Sequence, residues 1–235
     1  MKKVQKIDYF AGLNAVLFLW MCAVVYYDRF VEYRGAANIA EFYVYAILIL
    51  LVIGYGWFTY RLRHFSTVLL VLVQAGILIH FAGAFVPIEG GRLYDAQLMG
   101  LRYDKYVHFY NAAVGTWVGW RLFEIRGIPR NGFTSFVLVM TVLGFGALIE
   151  IAEYIVCVTI PRTGVGGYDN NMQDLIANTA GAAVSLFFLR YAADFVRAGI
   201  ALKARVVRIG IRTATGLRAD LPDLSAIRSE DAGEP

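Results

Sequence analysis

Apolar residues run along this chain in long blocks and do not alternate with polar ones. Six blocks, at about 9–27, 39–60, 66–86, 104–123, 133–160 and 175–196, each come close to or exceed the roughly 20 residues that a helix needs to cross a hydrocarbon core. Strand-type alternation of period two is missing, which argues against a membrane β-barrel. The expected fold is therefore all-α: a polytopic bundle of about six transmembrane helices in one domain, residues 1–198. Residues 199–235 follow as a basic amphipathic segment and a disordered cytoplasmic tail.

Composition agrees. The chain is 59% hydrophobic and 17% charged, whereas ordinary globular domains carry about a quarter charged residues. The formal charge of +4 is no nucleic-acid signal, because the cations gather at helix ends. By the positive-inside rule they place both termini in the cytoplasm. On that reading Lys2, Lys3, Lys6, Arg61, Arg63, Arg121, Arg126, Arg130, Arg190, Arg197 and the tail cations lie inside, and Arg29, Arg34, Arg92, Arg102, Lys105 and Arg162 lie outside. The first apolar run is too long for a signal peptide and lacks a small-residue cleavage site, so it is expected to be retained. Cys22 and Cys157 both fall in apolar helices and read as small buried residues, although a disulfide between them is geometrically conceivable. Tyrosines and tryptophans near the block ends, among them Tyr26, Tyr43, Trp57 and Tyr60, form the expected interfacial belt. Residues 197–218 are basic and moderately apolar, as suits a helix lying on the anionic cytoplasmic leaflet.

Ionisable residues change the picture. The first two blocks hold few, chiefly Asn14 as a polar exception and Glu41 near one end. The last four carry His80, then Asp104, Lys105 and His108, then Glu150 and Glu153, then Asp174 and Asn178, with Asp169 just ahead. Such groups are costly in a membrane and so usually face a protein interior and serve a function. Asp104 with His108, Glu150 with Glu153, and Asp174 with Asn178 are spaced by three or four residues, so each pair shares a helix face, which Asn111 extends. Depth gives a second test. Asp104 and His108 open one helix and Asp174 opens another from the same side. His80 lies about two turns from an outward end, and the glutamates lie roughly 10–15 Å below another. Four helices thus put their polar residues at one level, in the outer half of the membrane.

Five carboxylates (Asp104, Glu150, Glu153, Asp169, Asp174) against Lys105 and Arg102 cannot all stay ionised without compensation. They can share protons, pair with Lys105, or bind a cation. The candidate metal ligands are His80, Asp104, His108, Glu150, Glu153, Asp169 and Asp174. Oxygen-rich ligation suits Mg, Ca or Mn, and added imidazole admits Zn or Fe. The plainer readings are a hydrogen-bonded polar network, with Asp104 and Asp174 serving as helix N-caps and His80 as a core histidine. Glu150 and Glu153 have no capping explanation. Gly164, Gly166 and Gly167 make a flexible loop without a Walker pattern.

Y-D-K-Y-V-H-F (Tyr103 to Phe109), I-E-I-A-E-Y (Ile149 to Tyr154) and Y-D-N-N-M-Q-D-L (Tyr168 to Leu175) resemble the YjdF family of bacterial inner-membrane proteins, as does His80 with Gly83. More distantly, D-K-x-x-H-F and D-L-I-A-N-T-A-G (Asp174 to Gly181) resemble the VanZ-like family, linked to glycopeptide-antibiotic tolerance, in which the second acid of this pair is often Gln where this chain has Glu153. The resemblance covers about residues 75–190. It implies a multi-pass protein of the bacterial inner membrane and carries no established activity.

The leading expectation is an outward-facing site, open to the outer leaflet or periplasm, that binds or acts on an envelope lipid or its head group. Glu150 and Glu153 would be the acid/base or metal-binding pair, His108 and Asp104 would assist, and Asp174 would orient them. The alternatives are a small solute or proton-coupled transporter and a non-catalytic membrane scaffold. Whether the protein is an enzyme stays open, as do the metal and the oligomeric state.

Overall fold

A computed structural model describes residues 3–61, 65–89, 91–159 and 167–215. Helix α1 (Lys6–Met21) continues through a π-helical turn (Cys22–Tyr26) into α2 (Tyr27–Arg34). Next come α3 (Ile39–Tyr60), α4 (Thr67–Phe85), α5 (Tyr103–Ile125), α6 (Gly132–Thr159) and α7 (Tyr168–Thr215). Among the described residues four stretches are long and apolar enough to span a membrane: Lys6–Tyr26, Thr67–Phe85, Gly132–Ile155 and Tyr168–Tyr191. Helices α3 and α5, of 22 and 23 residues, have spanning length as well. The chain divides into two units after Leu189.

The helix boundaries follow local chemistry. Ser66 caps α4, its hydroxyl accepting from the Leu69 amide at 3.2 Å. Ser66→Ala should lower stability by about 1 kcal/mol, readable by thermal unfolding in detergent. Helix α5 ends where Gly127 takes φ +67°, a conformation that favours glycine. Asn131 then opens α6, its side chain accepting from Thr134 N at 2.9 Å.

Apolar faces join the helices. Phe18, Cys22 and Ala46 form one buried cluster with Phe42, Leu50, Phe81 and Phe85, which ties α1 and its π-turn to α3 and α4. Phe18 stacks on Phe81 with centroids 4.1 Å apart. Ile7, Trp57 and Leu70 form a second cluster at the opposite end of the same helices. Arg61, buried there, pairs with Asp8 at 2.5 Å, and Trp57 donates to the same carboxylate. Small residues bring the other helices close. A Cβ at Gly181 of α7 would overlap the Phe109 carbonyl of α5, and one at Gly76 of α4 would overlap the Asn111 side chain of α5. Outward, large apolar side chains such as Leu13, Val16, Phe136, Leu148, Ile176 and Phe188 stay exposed, as a bundle solvated by lipid requires.

Three sequence expectations change. The last span starts at Tyr168, not near 175, so Asp169 lies in the first turn of α7 and Asp174 sits inside the helix instead of capping it. Asp104 likewise is in the first turn of α5, whose N-cap position is Arg102. The α4–α5 connection holds two short antiparallel hairpins, β1 (Pro87–Ile88) with β2 (Gly91–Arg92) and β3 (Gln97–Leu98) with β4 (Leu101–Arg102). Met99 (φ 48°) and Gly100 (φ 83°) turn the second hairpin, matching the positive-φ pair that a two-residue turn demands. Cys22 is a free, buried thiol. The Cys157 side chain, Gly164, Gly166 and the side chains of 197–218 lie outside the described residues.

Candidate functional site

The end of the bundle that carries the hairpins holds the polar residues. Lys105, 5% exposed, is the hub. Its ammonium donates to Asp174 Oδ1 at 2.8 Å, Asn170 Oδ1 at 2.9 Å, Asp104 Oδ2 at 3.1 Å and the Asn170 carbonyl at 3.2 Å. Asn170 returns a bond from Nδ2 to Asp174 Oδ2 at 2.7 Å. Arg102 donates to Asn170 Oδ1 and to Asp95 Oδ1, and lies 3.7 Å from Asp104 Oδ2. These bonds lock the start of α7 onto the start of α5. One turn deeper, the His108 ring lies between two acids, with Nδ1 3.5 Å from Glu150 Oε1 and Nε2 3.5 Å from Asp174 Oδ1. One ligating atom from each of His108, Glu150 and Asp174 falls within 4.8 Å of the others. Glu150 is 3% exposed, and neither of its carboxylate oxygens has a hydrogen-bond partner among the described residues. Its backbone carbonyl accepts from Asn171 Nδ2 at 2.9 Å, which joins α6 to α7.

The α4–α5 connection closes over this network. Gly83 leaves room for the Tyr94 ring, which a Cβ there would overlap. The Tyr94 hydroxyl meets His80 Nδ1 at 2.5 Å. Burial, reinforced by the negative charge of Glu153, pushes the Tyr94 phenol up from its ordinary range, so it stays protonated and can donate to that nitrogen.

Of these side chains His80, Tyr94, Asp104, His108, Glu150 and Asp174 line one end of a cavity of about 560 Å³. From there the space continues between α5 and α6 as an apolar trough. Its walls are Ala112, Gly115, Val118, Gly119, Leu122 and Phe123 of α5 and Leu138, Val142, Phe145 and Ile149 of α6, with Thr141 as a lone hydroxyl. Both stripes recur at helical spacing, and from Asp104 to Phe123 α5 rises about 28 Å, nearly the thickness of a hydrocarbon core. Phe145 and Ile149 on its wall are 66% and 55% exposed, so the trough is open sideways there.

Residues 12–194 match the family described as predicted membrane protein (DUF2238). The chain belongs to the DUF2238 family. The match begins within α1, at residue 12, runs to residue 194 in α7, and agrees with the YjdF-type resemblance. No curated protein and no solved structure matches the chain.

In this DUF2238 protein, His80, Asp104, His108, Glu150, Glu153 and Asp174 all line the one cavity, with Asn111 and Asn178. Asp169 does not: it is exposed and absent from the cavity wall. Arg92, Tyr94 and Asn170, which line the cavity, and Asn171, which braces α6, were missed from the sequence as site residues. The run Tyr168–Asp174 held a signal for the asparagines. Two adjacent amides ahead of an acid, at a buried helix start, need partners, and the facing helices supply them.

Proposed function

We propose that this protein binds an amphiphile of the cell envelope, a lipid or lipid-linked molecule, with its head group among Glu150, Glu153, His108, Asp104 and Asp174 and its chain in the trough between α5 and α6. The reading rests on one observation: the acidic and imidazole side chains open directly into a long apolar space that is exposed along one side. A solute pocket would be closed at its apolar end, and a proton path would carry polar groups through the deeper half, where Thr141 stands alone. Surrounding hydrocarbon is as apolar as the trough itself, so the trough adds little attraction of its own, but the head group can be held only where its chain has room to lie. If the bound molecule reacts, Glu150 and Glu153 are the acid/base candidates, His108 and Asp104 assist proton transfer, and Asp174 orients His108.

In this reading six helices span the bacterial inner membrane with both termini in the cytoplasm, and the site faces the outer leaflet. Gly115 provides the test, because a Cβ there meets only Val142 Cγ1, at 3.9 Å, and the space beyond belongs to the trough. Gly115→Phe should block the chain and cut lipid retained through purification at least tenfold, about 1.4 kcal/mol, measured by extraction and mass spectrometry. Gly144→Phe, at a glycine with nothing within 4 Å of its Cβ position, should retain the wild-type amount. Equal retention in both variants would defeat the proposal.

A further inference from the structure

Glu150, Asp174 and His108 invite a question that lipid binding leaves open: what neutralises them. Asp104, Glu150 and Asp174 bring three negative charges to the floor of the cavity, and the ammonium of Lys105, hydrogen-bonded to Asp104 and Asp174, supplies one positive charge. Arg102 is engaged by Asp95 at 2.7 Å and reaches Asp104 only at 3.7 Å. With all three ionised, two negative charges remain in a buried place, and neither oxygen of Glu150 has a hydrogen-bond partner among the described residues. Leaving a carboxylate unsatisfied in low dielectric is expensive, so a partner is implied.

We infer that His108, Glu150 and Asp174 bind one divalent transition-metal ion at the head-group end of the cavity. The charge matches: two carboxylates with a neutral imidazole, set in a site whose remaining deficit is two. The ligand atoms already lie within 4.8 Å of one another. Metal–ligand bonds of about 2.0–2.2 Å put tetrahedral ligand atoms roughly 3.4 Å apart, a contraction that side-chain rotation can supply. One nitrogen and two oxygens select Zn²⁺, Mn²⁺ or Fe²⁺ over Ca²⁺ or Mg²⁺. Three protein ligands leave a coordination position open towards the cavity, where a head-group oxygen or water can sit. Lys105, bonded to Asp174 Oδ1, and Asn170, bonded to Oδ2, hold that carboxylate in place as outer partners. His80 is committed to Tyr94 through Nδ1, and Asp104 is not among the residues whose ligating atoms converge within 4.8 Å, so neither belongs to the ligand set.

The inference concerns the same pocket as the lipid reading, and its test is run on delipidated protein so that the two can fail separately. Full-length protein in detergent is stripped with chelator, dialysed against Zn²⁺ or Mn²⁺ and analysed for metal. Wild type and Asp169→Asn, a change at an exposed acid off the cavity wall, should each take up about one equivalent. Glu150→Gln and His108→Gln, checked for folding by size exclusion, should fall at least tenfold. Should those variants not fold, pulsed paramagnetic resonance of Mn²⁺ on the wild type decides, because it should report one coordinating imidazole nitrogen. Wild type without stoichiometric metal, undiminished uptake by Glu150→Gln, or bound Mn²⁺ lacking nitrogen coupling would each overturn the proposal. Metal failure alongside a lipid block by Gly115→Phe would remove only the ion.

Discussion

Lys105→Met is expected to be among the most destabilising single changes in this protein, by about 3–5 kcal/mol. The ammonium is buried and bridges Asp104 and Asp174 across two helices, with Asn170 filling its remaining donors. Methionine keeps the length and apolar stem but strands two buried carboxylates, so what is lost is chiefly compensation of charge and only slightly packing. In a chain of this size the melting temperature in detergent should drop on the order of 10 °C. Adding Asp174→Asn should recover part of the loss, because it removes one of the stranded charges. A melting temperature for Lys105→Met within about 2 °C of wild type would show that water or protons satisfy the acids without the lysine.

The second large effect comes from one methyl group. At Gly181 a Cβ would overlap the Phe109 carbonyl oxygen and approach its carbon at 2.9 Å and its Cα at 3.0 Å. These are backbone atoms of α5, so no rotamer change relieves the clash and the two helices must separate. Overpacking of this kind costs about 1–3 kcal/mol, and Gly181→Ala should fall at the upper end. Gly144→Ala makes the same chemical change where nothing lies within 4 Å, and should be stabilising by up to about 1 kcal/mol through helix propensity alone. The opposite signs, read by thermal unfolding of the two variants side by side, isolate close approach from propensity. Parallel shifts would refute it.

Much of the bundle was legible because a helix crossing lipid must be long and apolar, and that leaves an unbroken run in the chain. The polar cluster was legible for the complementary reason. Acids such as Glu150 and Glu153 in an apolar helix demand an interior, and equal depth on four helices allowed them to share one. Asp169 shows where that logic stops: its charge and its place just ahead of the last block put it with the others, but its position in the first turn of α7 leaves it exposed. The start of α7 was misplaced because a glycine-rich stretch followed by Asp, Asn and Asn looks like a loop, and only the facing lysine and glutamate carbonyl make those amides helical residues. Strands of two residues are too short for alternation to register. The trough had no sequence signature at all, since Gly115, Val118 and Gly119 look the same whether they pack a neighbour or border a void.

The hairpins between α4 and α5 have one further consequence. Residues 86–102 could have been a loose strap, yet Leu93 N bonds Val86 O at 2.9 Å, Tyr103 N bonds Ala96 O at 2.8 Å, and Tyr106 reaches back to Leu98. The rim of the cavity is therefore set before anything arrives. On the proposed reading an incoming lipid spends little of its interaction energy on freezing a lip into shape, so its capture is governed by how quickly it finds the opening and how well it fits.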